Sequence, residues 1–281
     1  MNAIGSARRH GAAASQEEMG RLTATTPQPP AGRSLLAGRT VLVTAAAGTG
    51  IGFAAAERCV REGARVALSD RHERRLGEAA ERLTELAGER PLTVPCDVTV
   101  EADVQRMVDT VVGEYGRLDV LVNNAGLGGE TSILEMTDEQ WSTVLDVTLN
   151  GTFRCTRAAL RHMVQRGSGA IVNNASISGW RAQAGQAHYA AAKAGVMALT
   201  RCAALDVADH GIRVNAVAPS IAMHPHLAKT SSEELLAELA AREAFGRAAE
   251  PWEVANVIVF LASDYASYMT GEVVSVSSQH P

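Results

Sequence analysis

The chain has few aromatic residues and few cysteines. Phe, Trp and Tyr make up 4% of its 281 residues, so small and aliphatic side chains must build most of the core. The four cysteines are widely separated, and no Cys-x-x-Cys pair occurs. This spacing argues against a structural zinc site and against a disulfide framework. No His, Asp and Glu cluster stands at metal-ligand spacing, so we expect no catalytic metal.

An excess of basic charge and long apolar runs are also missing. The 26 Lys and Arg residues are outnumbered by 31 Asp and Glu residues, which argues against a dedicated nucleic-acid-binding protein. No run of about 18 or more apolar residues occurs, and the N-terminus lacks the pattern of a secretory signal. We therefore expect a cytoplasmic protein that binds neither nucleic acid nor membrane.

Residues 1–37 differ in composition from the rest of the chain. They are rich in Ala, Gly, Ser, Thr and Arg, contain several prolines near their end, and keep no helical or strand period. Such a segment buries too little apolar surface to offset the entropy of ordering it, so it is predicted to be a disordered tail. The alternative is an organelle-type transit peptide, which Glu17 and Glu18 disfavour.

From residue 38 onward, short apolar runs alternate with longer helical patterns. Strands that are apolar throughout are typical of a parallel sheet covered on both faces. The pattern therefore predicts a single α/β domain over residues 38–281, a Rossmann-type doubly wound parallel seven-stranded sheet with helices on both faces. The irregular stretch near 220–250 interrupts this alternation and is a candidate substrate lid. The predicted strands cover 40–44, 65–69, 92–96, 120–123, 170–173, 212–217 and 272–276, and the predicted helices cover 51–62, 73–87, 101–115, 138–166, 186–209 and 251–263.

A Gly-rich turn follows the first predicted strand. Small residues between Thr44 and Gly52 would let the backbone approach a pyrophosphate, which then lies at the N-terminus of the next helix. Asp70 ends the second strand, where a carboxylate accepts hydrogen bonds from ribose hydroxyls and repels a 2′-phosphate. This favours NAD over NADP, although Arg71 could partly accommodate NADP. Asp97, after the third strand, is either a further cofactor contact or a turn carboxylate.

A Tyr-x-x-x-Lys pair carries the strongest chemical signal. Tyr189 and Lys193 share one helix face, and a nearby ammonium lowers the pKa of a phenol towards neutral pH. Ser176, just past the fifth strand, could orient a substrate oxygen. Asn150, on the preceding helix, could hold a water that links Lys193 to solvent. Taken alone, such a pair is also common on ordinary helix surfaces.

In this order and spacing, residues 39–281 resemble the short-chain dehydrogenase/reductase family, whose members are usually tetrameric. The resemblance rests on the Gly-rich turn, Asp97, the run 123–126, Asn150, Ser176, Tyr189, Lys193 and the run 215–219. It implies that Tyr189 is the catalytic acid/base, that Lys193 lowers its pKa and binds the nicotinamide ribose, that Ser176 orients the substrate, and that Asn150 completes a proton relay. The cofactor-binding residues it implies are Thr44, Gly48, Thr49, Gly50, Ile51, Gly52, Asp70, Arg71, Asp97, Val98, Asn124, Ala125, Gly126, Tyr189, Lys193, Pro219 and Ile221.

The chain departs from the family pattern in two places. Ala45 replaces the usual glycine after Thr44, and the turn is one residue longer than the common form. Ser220 replaces the glycine that usually follows Pro219, and His224 stands near the place of a threonine that commonly contacts the carboxamide. These changes bear on the cofactor contacts of the turn and of residues 220–224.

Several runs resemble, within the family, reductases that act on a bicyclic CoA thioester formed during steroid breakdown. They cover 43–52, 173–176, 179–183 and 275–281. The resemblance implies a substrate site formed by Ser176, Trp180, Arg181 and Tyr189, in which Trp180 offers a flat apolar face and Arg181 a cation. One alternative substrate is a linear 3-oxoacyl thioester on acyl carrier protein or CoA. A non-catalytic nucleotide-binding regulator, the alternative of another class, would lose Tyr189 or Lys193.

Overall fold

The computed structural model describes residues 30–223 and 233–278. Within these residues, the strands form one parallel sheet of seven, in the order β3-β2-β1-β4-β5-β6-β7. The chain adds β2 and β3 on one side of β1 and β4 to β7 on the other, which is the doubly wound topology that the alternating pattern predicts, so the predicted fold class is confirmed. The strands are β1 Thr40–Thr44, β2 Arg65–Asp70, β3 Leu92–Pro95, β4 Val120–Asn123, β5 Gly169–Asn174, β6 Ile212–Pro219 and β7 Val273–Val276.

The helices lie within one or two residues of their predicted bounds in most cases. They are α1 Ile51–Arg61, α2 Glu73–Ala87, α3 Glu101–Tyr115, α4 Asp138–Leu145, α5 Gly151–Arg166, α6 Ala187–Val207, α7 Glu233–Ala241 and α8 Pro251–Ala262. The irregular region of 220–250 contains α7, while residues 224–232, including His224 and His226, lie outside the described residues.

Two apolar layers cover the sheet. Alternate side chains of β1 point to opposite faces, with Val41 and Val43 in the layer formed with α1, α2 and α8, and Leu42 in the layer formed with α3, α5 and α6. All three side chains are fully buried. This two-sided burial explains why the strands are apolar throughout and do not alternate with polar residues.

The predicted helix over 138–166 is wrong in one respect, because a π-helical turn at Asp146–Asn150 separates α4 from α5. Gly151 begins α5 with Val98 against it, and an ideal Cβ at Gly151 would lie 2.7 Å from Val98 Cγ2. The extra residue in the turn changes which side chains face the sheet, and such turns occur frequently at functional sites.

The predicted boundary of the N-terminal tail at residue 37 is also wrong. Leu36 is only 1% exposed and belongs to the layer around α1. The buried carboxylate of Glu62 accepts the backbone N–H groups of Arg33 at 2.7 Å and Leu35 at 3.0 Å, and it pairs with Arg58. A buried carboxylate needs such donors, and they fix the segment 30–37 on α1. Residues 1–29 lie outside the described part of the chain.

Three further expectations concern cysteines, metals and membranes. Cys59, Cys96 and Cys155 are buried free thiols, whereas Cys202 is exposed on α6. Among the described residues, no three His, Cys, Asp or Glu side chains form a group that could hold a metal ion. No helix in the same residues is long and apolar enough to span a membrane.

We expect Leu36→Ala to lower the free energy of unfolding by about 2–5 kcal/mol, because it opens a cavity in the layer around α1. Chemical denaturation measures the change. The matched control is Leu134→Ala, since Leu134 is 91% exposed and its loss should change stability by about 0.5 kcal/mol or less. Equal stability of the two variants would show that residues preceding β1 are not part of the core.

Candidate active site

The predicted site residues gather at the edge of the sheet where the parallel strands end. The strand order reverses at β1, which has β2 on one side and β4 on the other. Open α/β sheets bind ligands in the crevice at this position. The Gly-rich turn follows β1 here, and the loops after β4 and β5 lie on its far side.

The Gly-rich turn begins with a strained residue. Ala45 has φ +50°, in the left-handed region that favours glycine, which explains why the family usually has glycine at this position. Gly52 is required for packing, because an ideal Cβ there would lie 2.4 Å from both Ala45 O and Asn124 Nδ2. An ideal Cβ at Gly48 meets nothing within 4 Å, so Gly48 borders open space.

The first turn of α1 is suited to an anion. Gly50 is the N-cap and provides no side-chain cap, and no acidic residue lies in the first turn after Ile51. The N–H groups that begin a helix carry partial positive charge and need acceptors. Thr49, Gly50 and Ile51 therefore lie where the sequence predicts a pyrophosphate. In the loop before them, Arg82 Nη1 donates to Gly48 O at 3.1 Å.

Asp70 lies at the end of β2, beside the turn. Its carboxylate accepts the N–H groups of Ala47 at 3.2 Å and His72 at 3.0 Å. Burial raises the pKa of Asp70, and the Ala47 N–H, Arg75 and Arg71 oppose this shift. The carboxylate therefore holds the turn in place in addition to the ribose contact that the sequence predicts.

Asp97 and Val98 follow β3 and have structural contacts. Asp97 Oδ1 accepts both the N–H and the hydroxyl of Thr99, at 2.9 and 2.7 Å, as the turn-carboxylate interpretation predicts. Val98 is buried against Gly151. A cleft of about 380 Å³ nevertheless lies beside them at the ends of β2 and β3. Its lining residues are Arg71, His72, Glu73, Pro95, Cys96, Asp97, Asp103 and Arg106.

Thr44 joins the ends of β1 and β4. Its hydroxyl oxygen accepts the N–H groups of Asn124 at 3.0 Å and Ala125 at 3.1 Å. The same hydroxyl lies 3.4 Å from Val122 O. Thr44, Asn124 and Ala125 thus meet as the sequence predicts, and Gly126 follows, with an ideal Cβ 3.4 Å from Lys193 Nζ.

Ser176, Tyr189 and Lys193 converge past the end of β5. The oxygen of Ser176 accepts the N–H of Ser178 at 3.2 Å and is hydrogen-bonded to Tyr189. Lys193 Nζ donates to Asn174 O at 2.6 Å and lies 5.5 Å from the Tyr189 ring centroid. The structure thus brings together the three side chains for which the sequence predicts an acid/base role, called the acid/base group below.

The pKa of Tyr189 shifts in the direction opposite to the one that the sequence predicts. Burial raises the pKa of Tyr189, and the hydrogen bond with Ser176 opposes this without reversing it. Burial also lowers the pKa of Lys193 to about 8. Removal from water disfavours both charged forms, so burial outweighs the lowering of the Tyr189 pKa that the sequence predicts.

The prediction for Asn150 is wrong as well. Asn150 is exposed, and its amide donates to Asp146 Oδ1 at 3.1 Å. The fully buried residue of this turn is Thr148, whose hydroxyl bonds both the N–H and the C=O of Leu127, at 3.0 and 3.1 Å. Thr148 follows buried Val144 by four residues, so the two side chains share the inward face of the helix. This spacing could have identified Thr148 from the sequence, whereas Asn150 does not lie on that face.

The predicted substrate loop follows Ser176. Gly179 packs so closely on α6 that an ideal Cβ would lie 2.9 Å from Ala194 N, which fixes where the loop leaves the site. Trp180 is 42% exposed on this loop, and partly buried Arg181 follows it. His188 is buried, and its Nδ1 accepts the N–H of Tyr189 at 2.9 Å.

Two residues at and after the end of β6, Pro219 and Ile221, are predicted to contact the cofactor, and both already have protein contacts. Pro219 is buried and aligns with Val276 of β7. The carbonyl of Ile221 accepts Ala249 N–H at 2.9 Å. That bond anchors the start of the 220–250 region and occupies one of the two backbone groups that Ile221 could offer a cofactor.

Comparison with known proteins agrees with this geometry. A family model described as enoyl-(acyl carrier protein) reductase matches residues 45–278. The (5R,7aS)-5-hydroxy-7a-methyl-1-oxo-2,3,5,6,7,7a-hexahydro-1H-indene-carboxyl-CoA reductase of Mycobacterium tuberculosis is 62% identical over 256 residues, covering 91% of this chain and 98% of that protein. A 3-oxoacyl-(acyl-carrier-protein) reductase of Thermotoga maritima is 39% identical, covering 86% of this chain and 97% of that protein.

A solved structure extends the comparison to the fold. The crystal structure of a short chain dehydrogenase from Mycobacterium smegmatis is 56% identical, covers 92% of this chain and 99% of its own, and has a TM-score of 0.82. The family model and these relatives span most of the described sheet and all of the acid/base group. The chain therefore belongs to the short-chain dehydrogenase/reductase family.

Proposed function

We propose that this oxidoreductase uses NAD to interconvert a ketone and a secondary alcohol on a bicyclic acyl-CoA thioester. The observation that carries the reaction class is the meeting of Tyr189, Ser176 and Lys193 beside the Gly-rich turn. Family membership supports a nicotinamide cofactor, and the 62% identical relative is named as a reductase of such a thioester. The substrate class rests on that relative.

The described residues fit a dinucleotide. The uncapped first turn of α1 would hold the pyrophosphate, and Gly52 leaves room for the turn to close on Asn124. Lys193 would bind the nicotinamide ribose. Asn174 Oδ1 is buried and has no hydrogen-bond partner among the residues that the structure describes, which supports a polar group bound nearby. When bound, the nicotinamide supplies or accepts a hydride.

The protein handles the proton. In reduction, the hydroxyl of Tyr189 donates its proton to the carbonyl oxygen of the substrate, and in oxidation the phenolate accepts it. The oxygen of Ser176 accepts Ser178 N–H, and its hydrogen, which points to Ser178 Oγ at 3.3 Å, would turn towards the substrate oxygen. The ammonium of Lys193 stabilises the phenolate that Tyr189 becomes after donating.

Asp70 supports NAD over NADP. Its carboxylate is oriented by Ala47 and His72 at the end of β2, where a 2′-phosphate would meet negative charge. Arg71 is exposed beside it and would be the group to meet a phosphate if Asp70 were neutral. We therefore propose NAD as the cofactor.

Two exposed surfaces support the proposal of a homotetramer. A groove of about 700 Å³ lies between α5 and α6 and includes Phe153, which is 42% exposed. Tyr268 is fully exposed near the edge strand β7. Exposed apolar surface of this extent is typical of protein interfaces. The free thiols fit a reducing compartment, which supports the proposed cytoplasmic location.

A substrate panel tests the proposed substrate class. We expect a bicyclic indane-type CoA thioester to give a kcat/KM at least about tenfold above that of acetoacetyl-CoA, since binding of the fused rings adds apolar contact. NADH oxidation measured by absorbance reports both rates. A higher kcat/KM for acetoacetyl-CoA would replace the bicyclic substrate with a linear 3-oxoacyl thioester. Activity on neither would contradict the reaction class.

We expect Tyr189→Phe to lower kcat by about 10²–10⁴-fold while NADH affinity changes little, because the lost hydroxyl transfers the proton and lies outside the dinucleotide turn. Steady-state kinetics and a fluorescence titration measure the two effects. Tyr265→Phe, in which a 76% exposed hydroxyl is removed, is the matched control and should behave as wild type. A Tyr189→Phe enzyme within tenfold of wild type would contradict the catalytic assignment.

We expect Asp70→Ser to move the ratio of kcat/KM values for NAD and NADP at least about tenfold towards NADP, because one charge-assisted interaction is lost. Affinity for NAD should also fall, since Ala47 N–H loses its acceptor. Glu73→Ser removes a nearby charge in the same cleft without that bond and should change the ratio by less than about threefold. A wild-type preference for NADP would contradict the premise.

A further inference from the structure

A line of hydrogen bonds crosses the ends of three strands. It starts at the strained Ala45 after β1, where the carbonyl accepts Asn124 Nδ2 at 3.1 Å. Asn124, after β4, accepts Asn174 Nδ2 on its Oδ1 at 2.9 Å. The backbone carbonyl of Asn174, at the end of β5, accepts Lys193 Nζ at 2.6 Å. Two side-chain amides therefore connect the Gly-rich turn to the acid/base group.

The direction of this line is fixed at one end. A carbonyl can only accept, so Ala45 O requires the amide NH₂ of Asn124 to face it. Asn124 must then present its oxygen to Asn174, and Asn174 must present its NH₂ in return. No other orientation of the two amides satisfies both contacts.

The unpaired oxygen of Asn174 is the other consequence of this orientation. Asn174 Oδ1 is buried and has no partner among the described residues, and a buried unpaired acceptor is costly. Rotating the amide would turn this oxygen towards the oxygen of Asn124 and break the line. The described residues therefore fix the donor of Asn174 and leave its acceptor free for a bound polar group.

We propose that Asn174 is a positioning residue that couples the Gly-rich turn to Lys193, so that cofactor binding and proton transfer depend on the same half-buried amide. Its side chain holds Asn124 against the turn, and its backbone holds the ammonium. Loss of the side-chain donor frees Asn124, which then loses its fixed orientation towards Ala45 O. The kinetic consequence rests on the proposed function, whereas the coupling itself does not.

Asn174→Asp is the sharpest variant, because it keeps the shape and removes the donor. Asn215→Asp is the matched control, since the amide of Asn215 also donates one hydrogen bond, to Met269 O at 2.8 Å, but on β6 away from the turn. In the cofactor-free protein, we expect amide hydrogen exchange of residues 45–48 to be about five- to tenfold faster in Asn174→Asp and in Asn124→Ala than in Asn215→Asp. Unchanged exchange in that turn would overturn the coupling.

A double-mutant cycle separates coupling from ordinary loss of stability. Asn124→Ala and Asn174→Ala should each weaken NADH binding about five- to tenfold, and the double variant should be no weaker than the worse single variant. At saturating NADH, Asn124→Ala should lower kcat although its side chain does not touch Lys193. Strictly additive losses, or a kcat unchanged in Asn124→Ala, would overturn the proposal. If Asn174→Asp does not fold, Asn174→Ala provides the exchange measurement without an added charge.

The two proposals fail differently. If wild-type protein reduces no ketone but the turn still exchanges faster in both Asn variants, the proposed function is wrong and the coupling stands. If wild-type protein is active and the variants neither exchange faster nor bind NADH more weakly, the coupling is wrong and the function stands.

Discussion

The site depends on how β1 and β4 are held together at their ends. Thr44 accepts two N–H groups from the chain that leaves β4, and Asn124 donates back to Ala45. These bonds hold a backbone conformation that costs about 1–2 kcal/mol for alanine. The turn that they hold carries the N–H groups of α1, and its geometry sets where any dinucleotide could lie relative to Tyr189. Gly52 belongs to the same constraint, because a side chain there would push the two loops apart.

The helical bounds and the sheet could be predicted because their signals are local. Strands that are covered on both faces are apolar throughout, and helices that cover them have an apolar period. Each of these patterns is visible within the sequence of a single segment. The family motifs likewise place Ser176, Tyr189 and Lys193 together, since they combine a helix face with the end of β5. Parallel strands that end at one edge then bring the Gly-rich turn and Asp70 to the same crevice.

What could not be predicted depends on contacts between distant segments. Leu36 has no periodic neighbours, and its burial follows from the carboxylate of Glu62 at the C-terminal end of α1, which needs the donors that this segment provides. The π-helical turn adds a residue to a helix whose sequence has the period of a continuous one, so the motif spacing assigned to Asn150 a position that Thr148 occupies. The role of Asn174 depends on two partners from other strands, and a single sequence does not pair them.

The opposite pKa shifts of Tyr189 and Lys193 bear on the direction of the proposed reaction, because they favour reduction of a ketone. Burial keeps the phenol of Tyr189 protonated and makes the ammonium of Lys193 easier to lose, with a pKa of about 8. At neutral pH the pair is therefore a phenol beside an ammonium, which is the state that donates a proton to a carbonyl oxygen and then stabilises the phenolate left behind. Above about pH 8 the ammonium is progressively lost, and with it the charge that makes Tyr189 a useful donor.

The carbonyl of Asn174 holds that ammonium by a short bond in the same buried environment, so the group that opposes its loss is also the one that connects it to the Gly-rich turn. In the proposed reaction, one arrangement of backbone and amide groups thus supports both proton donation to a ketone and the geometry of the cofactor turn.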